Sequence, residues 1–337
     1  MALQHTSIQL GDGGGGSLTQ QLLQTVVFPL LPPNDGVLHD AARLTAPSPE
    51  LAFTTDSYVV QPLLFPGGDI GRLAVIGSVN DLWMAGARPL ALSLGLILEE
   101  GLDLSIFEQV LHSIAQACRQ CGVSVITGDT KVVERGKGDG LFINTSAIGV
   151  VEHGLQIDPR ALRPGDTVLV SGDLGRHGTA ILAARQALGL RTDLESDLAS
   201  LQEPVQALLA EGLELHCLRD LTRGGLVSAV HELANSSGLS LRLEEAAIPL
   251  HPSVKGACDL LGLDPLAMAN EGRMVVICPA DEAQRALAVL QVFQSDAAII
   301  GRVVERSQQR YPAAIQSALG VLRPLALSSG EQLPRIC

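Results

Sequence analysis

The sequence predicts an α/β protein of two domains, each a mixed sheet covered by helices. Three observations carry that reading. Strand-length apolar runs alternate with stretches of helical periodicity, the signature of helices packed on a sheet. The alternation pauses at a turn-rich junction, Pro159–Gly165, and then restarts. The chain has 337 residues, within the range of two domains, and is 46% hydrophobic but only 3% aromatic, so its cores are built from Leu, Val, Ile and Ala.

Taken in order, residues 1–50 form an irregular segment. It holds the run Gly13-Gly14-Gly15-Gly16, a short apolar helix over Leu18–Val27 and a loop rich in Pro, Asn, Asp and Gly over Pro29–Pro49. The first domain spans 51–158. It opens with a strand at Leu51–Thr55 ending at Asp56, a helix at Gly71–Ala85 and an apolar strand at Leu90–Leu98. A helix follows at Ser105–Cys121, with Ser105 and Glu108 spaced as a capping box and Gly122 at its end. Strands at Val123–Thr127, running into Gly128-Asp129, and at Leu141–Val151 complete it. The second domain spans 159–323, with strands at Thr167–Val170, Arg273–Cys278 and Ala298–Val304. Its helices fall at Gly178–Leu188, Pro204–Ala210, Gly225–Asn235 and Glu282–Phe293. Residues 324–337 carry two prolines and the polar run Ser328–Gln332, the composition of a mobile tail, and end on Cys337.

A formal net charge of -13 excludes the basic face of a general nucleic-acid binder. No basic, then apolar, leader opens the chain, and no apolar run reaches the roughly 20 residues of a membrane span, so a cytoplasmic protein is expected. The six cysteines are scattered like reduced thiols rather than paired in a disulfide framework. Cys118 and Cys121 form a CxxC on the apolar face of a helix, but no second pair follows at zinc spacing, so core packing is the expected role. The terminal Cys337 is different, because an exposed thiol is costly unless its reactivity is used.

The chemistry-bearing residues sit where elements end. Asp56, Asp81 (beside Asn80) and Asp129 (beside Thr130) each adjoin small polar residues or glycine. Carboxylates suit Mg²⁺, which binds few of them together with phosphates and water. A turn or cap explains any one alone; jointly they point to metal ions on a nucleotide, provided that the strand ends are adjacent. Lys131 adds a point charge suited to phosphate. The Gly13–Gly16 run precedes a helix and allows backbone N–H groups to approach phosphate, although it is no GxxxxGK[ST] loop. In the second half Asp173, Arg176 and His177, then Asp220 and Arg223, then Glu271 and Arg273 lie beside glycines at element boundaries. Capping and ion pairing account for Asp173, Asp220, Arg223 and Arg273 as well as binding does, and His177 as well opens a helix.

Seven segments appear together in one order: TTDSYVVQPLLFPGGDIG from Thr54, VNDLWMAGA from Val79, TGDTKVVERG from Thr127, SGDLGRHG from Ser171, RDLTRGG from Arg219, ANEGR from Ala269 and the terminal PRIC. Across nearly the whole chain they resemble HypE, the carbamoyl dehydratase family of nickel–iron hydrogenase maturation factors. That family lies within the wider aminoimidazole ribonucleotide synthetase-like superfamily. The PRIC end discriminates it from selenophosphate synthetase and from small-molecule kinases of that superfamily; a nucleotide-regulated scaffold is the non-enzymatic alternative. The resemblance implies an aminoimidazole ribonucleotide synthetase-like fold and ATP with Mg²⁺ near a homodimer interface of the N-terminal domains. It also implies that HypF places a carbamoyl group on Cys337 and that ATP-dependent dehydration leaves a thiocyanate there. A HypC–HypD complex then receives the cyanide destined for the hydrogenase iron. Nucleotide and metal would fall to Gly13, Gly14, Gly15, Gly16, Asp56, Asn80, Asp81, Asp129, Thr130, Lys131, Asp220 and Arg223. The nitrile step also needs a base, and Glu271 is the candidate, with Lys131 as a possible partner. Two departures stand out: Asp12 occupies the family's histidine position before the glycines, and Leu221 replaces the proline of RDPTRGG.

Overall fold

The structure is a computed structural model that describes residues 5–14, 17–32, 42, 44–185, 192–306, 311–327 and 335–337. It divides into two compact units. The first runs to Glu152 and includes Cys337; the second comprises Trp83–Gly86 and His153–Ile336.

In the first unit α1 (Ser17–Leu22) precedes β1 (Leu51–Tyr58), β2 (Leu64–Phe65), β3 (Gly68–Asp69), α2 (Ile70–Met84), β4 (Ala87–Glu99), α3 (Leu104–Cys121), β5 (Ser124–Val133) and β6 (Leu141–Val151). Four of these strands form one sheet in the order β1-β6-β4-β5. Only the β4–β5 pair is parallel, because α3 supplies the crossover between them. One sheet face carries Tyr58, Leu92, Leu94, Leu96, Ile143 and Thr145, all buried. Ser78 of α2 lies 2.6 Å from Thr145 Oγ1, so α2 covers this face. The other face is open: Leu51, Phe53 and Ile97 expose 47%, 68% and 40% of their surface.

Helix α3 begins two residues earlier than a Ser105–Glu108 capping box requires. Its N-cap is Asp103, whose Oδ1 accepts both the N–H and the hydroxyl of Ser105 at 2.8 Å. At the other end Gly122 adopts φ 64°, the left-handed stop expected of it. Cys118 and Cys121 pack in the core, and burial pushes the Cys118 thiol up to about 12.

In the second unit the elements are β7 (Thr167–Val170), α4 (Arg176–Ala184), α5 (Gln202–Ala210), β8 (Cys217–Asp220), α6 (Gly225–Ser237), β9 (Ser240–Glu244), α7 (Pro252–Leu261), β10 (Met274–Cys278), α8 (Ala283–Phe293), β11 (Ala298–Val304), β12 (Ala313–Gln316) and β13 (Leu322–Pro324). Among the described residues the sheet order is β13-β12-β9-β11-β7-β10-β8. Every pairing is antiparallel except β12 with β9. The core joins Val168 and Val170 of β7, Val275 and Ile277 of β10 and the apolar face of α6. Residues 186–188, the expected end of the helix that starts at Gly178, lie outside the described residues.

Candidate functional site

In the first unit Asp56 and Asp129 lie within strands, not at adjacent strand ends, and Asp81 lies on α2. Asp56 is the sixth residue of β1 and Asp129 the sixth of β5, while Thr130 and Lys131 continue β5. Across the sheet Asp56 pairs with Thr145, and Asp129 with Gly95, which in turn pairs with Asn144. Alternation along the pleat therefore puts Asp56 on the helix-covered face and Asp129 with Lys131 on the open face. β1 and β5 are also the two sheet edges, three strand spacings or about 14 Å apart.

The adjacency of strand ends on which the expected grouping of Asp56, Asp81 and Asp129 depended is absent within one chain, since Asp56 and Asp129 lie on opposite edge strands. Asp81, on α2, joins β1 instead: its Oδ2 accepts the Thr54 hydroxyl at 2.6 Å, and Thr54 shares a face with Asp56. Asn80 is buried beside it. On the opposite edge Asp129 Oδ1 receives the Thr130 N–H and Lys131 Nζ, both at 2.9 Å. Among the described residues no three His, Cys, Asp or Glu side chains are grouped to hold a metal ion.

The glycine run is described as far as Gly14; Gly15 and Gly16 lie outside the described residues. Residues Leu10–Gly13 form a tight turn whose Gly13 abuts β5, where a Cβ would stand 2.5 Å from Val132 N. Asp12 is fully buried, its Oδ2 accepting the Gln9 N–H at 2.9 Å and lying 3.0 Å from His5 Nε2. An imidazole thus stands beside position 12 even though the residue there is acidic, and position 5 supplies it.

The second unit assembles its motifs around Asp197, a residue that sequence reasoning passed over. Its carboxylate accepts the backbone N–H groups of His177 at 3.1 Å, Glu271 at 3.3 Å and Gly272 at 3.2 Å. Gly272 has no room for a side chain, since a Cβ would meet Asp197 O at 2.0 Å. Glu271 is consequently buried, with 3% exposure. The His177 ring is buried as well, and desolvation depresses its pKa, keeping the imidazole neutral. Its Nδ1 lies 2.8 Å from Ser196 Oγ and its Nε2 2.6 Å from the carbonyl oxygen of Ile336. Arg185 Nη2 donates to the Arg335 carbonyl at 2.6 Å.

Ile336 and Cys337 are both buried, so the last residues of the expected mobile tail are docked; residues 328–334 lie outside the described residues. Within the first unit the Cys337 carbonyl accepts the Val59 N–H at 3.2 Å.

Asp173, Arg176 and Arg273 of these motifs bind one another. Arg273 donates to the Asp173 carbonyl and carboxylate at 2.9 and 2.8 Å, and Arg176 holds the second carboxylate oxygen. Asp220 closes β8, nearly buried, while Arg223 is exposed in the loop before α6. Asn270 ties three segments together: Oδ1 accepts the Gly175 N–H, and Nδ2 donates to the Leu221 and Met268 carbonyls. Leu221, in the family's proline position, is fully buried and its N–H donates to the Arg273 carbonyl, a bond proline lacks.

Comparison with known proteins follows the same division. The family described as AIR synthase related protein, N-terminal domain, matches residues 38–151, and its C-terminal counterpart matches residues 163–311. The carbamoyl dehydratase HypE of Azotobacter vinelandii is 46% identical, over 99% of this chain and 98% of its own length. A crystal structure of the hydrogenase maturation protein HypE in complex with ATP superimposes with a TM-score of 0.92 at 45% identity, covering 98% of this chain and 99% of that one. HypE in a HypE–HypF complex superimposes with a TM-score of 0.79 at 41% identity, covering 82% and 90%. With relatives this similar over their full length, and with both domain families in order, the chain belongs to the HypE family of carbamoyl dehydratases, hydrogenase maturation proteins.

Proposed function

We propose that this chain dehydrates a carboxamide carried on its own Cys337 to a thiocyanate at the expense of ATP. The observation that carries the reading is the shared buried network of the second unit. Asp197 braces both the Glu271 loop and His177, and His177 holds the peptide carbonyl next to Cys337. The Ile336 carbonyl, one residue before the terminus, is thus held by the network that braces the candidate base, which supports the reading. A solved relative carries ATP, which supports the nucleotide, and another is bound to HypF, which supports HypF as carbamoyl donor.

The reaction balances as R–S–C(O)NH₂ + ATP → R–S–C≡N + ADP + phosphate + H⁺. The amide oxygen is a poor leaving group. Transfer of the γ-phosphoryl group to it breaks the bond to ADP and turns it into phosphate ester oxygen. Removal of the N–H protons then lets the nitrogen lone pair form the nitrile as phosphate departs. Phosphoryl transfer is mainly positioning and charge neutralisation, roles suited to Lys131 and to the backbone of the glycine run. Glu271, which is buried, is the base for the N–H protons. Lys131 lies on the open face of the first unit, paired with Asp129.

Magnesium would supply charge neutralisation on the phosphates. The aspartates fit it as two separate sets, Asp56 with Asp81 and Asp129 alone, and not as one three-carboxylate site. Homodimerisation through the first unit belongs to the same proposal. It is supported by the open apolar face at Leu51, Phe53 and Ile97, a surface that in water favours a partner. Delivery of the cyano group to a HypC–HypD complex and a cytoplasmic location complete the reading.

The test is mass spectrometry of the C-terminal peptide after incubation with HypF, carbamoyl phosphate and ATP. The expected result is a carbamoyl gain on Cys337 followed by loss of one water, with neither change in Cys337→Ala. A thiocyanate found on the Cys337→Ala protein would refute the carrier role.

A further inference from the structure

We infer that His177 is a positioning residue that holds the C-terminal carrier segment by its backbone, through a tautomer selected by Ser196. The inference deepens the proposed reaction and rests on that reading for its purpose, but its geometry stands alone. The Ile336 carbonyl has no proton to give, so His177 Nε2 must donate across their 2.6 Å contact. Nδ1 is then an acceptor, and Ser196 Oγ lies 2.8 Å from it. The same Ser196 oxygen accepts the Leu198 N–H at 3.1 Å, which leaves its own proton for Nδ1. Both contacts of the ring therefore select one neutral tautomer, and burial of the ring favours the neutral state.

The imidazole is held from behind as well. His177 lies in the first turn of α4, and its backbone N–H is bound by Asp197, next to Ser196 on one irregular but largely buried strap, residues 194–201. Arg185, just past the end of α4, holds the Arg335 carbonyl at 2.6 Å. Arg335 is the one non-glycine residue among those described with positive φ, 58°. That conformation is unfavourable for a residue with a Cβ, and here it accompanies the binding of two successive carbonyls by two different side chains. Contacts to carbonyls read the position of the chain rather than its side chains. The segment is therefore held in register whichever group Cys337 carries.

The experiment uses the full chain without ATP or partner proteins. Iodoacetamide alkylation of each cysteine is followed by peptide mass spectrometry. Burial pushes the thiols of Cys118, Cys217 and Cys278 up to about 12 and that of Cys258 up to about 11, so they provide a slow internal reference. His177→Phe is expected to raise the Cys337 rate about fivefold to tenfold, the loss of roughly one buried hydrogen bond. His177→Gln, which retains an N–H donor, is expected to return it to within about twofold of the unsubstituted chain, and Ser196→Ala to give an intermediate rise. An unchanged Cys337 rate in His177→Phe, or a parallel rise at the reference cysteines, overturns the inference. If His177→Phe does not fold, the Ser196→Ala rate decides by the same criterion. Because no ATP is used, failure here leaves the proposed reaction standing, and failure of that reaction leaves this result intact.

Discussion

Removal of the Asp197 carboxylate is the sharpest perturbation of the second unit. Asp197→Ala leaves three backbone N–H groups, at His177, Glu271 and Gly272, without their acceptor. All three residues are largely buried, so water restores little of the loss. Hydrogen bonds to a charged acceptor contribute about 1.5–3 kcal/mol each, and these three, at 3.1–3.3 Å, belong at the weak end. Relaxation of the loop recovers part, and a net cost of about 3 kcal/mol follows. For a unit of this size each kcal/mol lowers the melting temperature by roughly 2–4 °C, which gives a fall of about 6–12 °C. Differential scanning calorimetry measures it. The same variant is expected to lose thiocyanate formation at temperatures where it remains folded, because the Glu271 loop and His177 lose their common brace. Asp197→Asn retains one acceptor oxygen and is expected to fall between the two. A melting temperature within about 1 °C of the unsubstituted chain, with normal product, would show that Asp197 braces nothing.

Three further outcomes are expected. Glu271→Gln keeps the shape of the side chain but removes the base, so ADP release with carbamoylated protein continues while the nitrile yield drops by roughly 10²-fold or more; wild-type yield by peptide mass spectrometry removes Glu271 from the mechanism. Phe53→Glu places a charge on the open face of the first unit, on its edge strand β1, and light scattering is expected to show a smaller species at micromolar concentration. His177 is held neutral in the fold with a pKa below its unfolded value of about 6.5, so the unfolded chain takes up the proton first. The associated stability is present above that pH and is lost as pH falls from about 6.5 towards the folded pKa, with Asp197 opposing the trend by favouring the imidazolium; His177→Gln is expected to flatten this part of a denaturant-midpoint titration.

Periodicity made part of the fold legible. Strands over Leu141–Val151, Thr167–Val170 and Ala298–Val304 appear as expected because their apolar runs are bounded by glycine or charge. β1 and β5 were harder, since each runs on through the polar residues Thr54–Ser57 and Thr127–Lys131. These look like loops in isolation, but they continue as strands because β6 and β4 supply their hydrogen-bond partners. That error of a few residues mattered. Once Asp56 and Asp129 belong to strands, pleat parity and strand order decide where they point, and neither is visible without the pairing. The short strands β8 and β9 were missed for a related reason: each is set by its neighbours in the sheet more than by its own pattern.

The charged glycine motifs of the second half show why local chemistry alone overstates a site. In the sequence Asp173, Arg176 and Arg273 stand out beside glycines and Asp197 does not, yet the structure makes the first three an ion-paired brace and Asp197 the hub. Arg273 is buried, and each of its three nitrogens donates to Asp173 or to the Gly272 carbonyl, while Gly172 leaves room for it: a Cβ there would stand 2.7 Å from Arg273 Nε. The positive charges are consumed in joining β7 to β10, and the glycines are required by the closeness of that packing. Asp197 lies instead on a strap with no periodic pattern and no glycine beside it. Its importance comes from three donors that arrive from residues 20, 74 and 75 positions away, and only the folded chain brings them together. A single buried carboxylate thus braces the start of α4, whose His177 holds the Ile336 carbonyl, and the loop that carries Glu271.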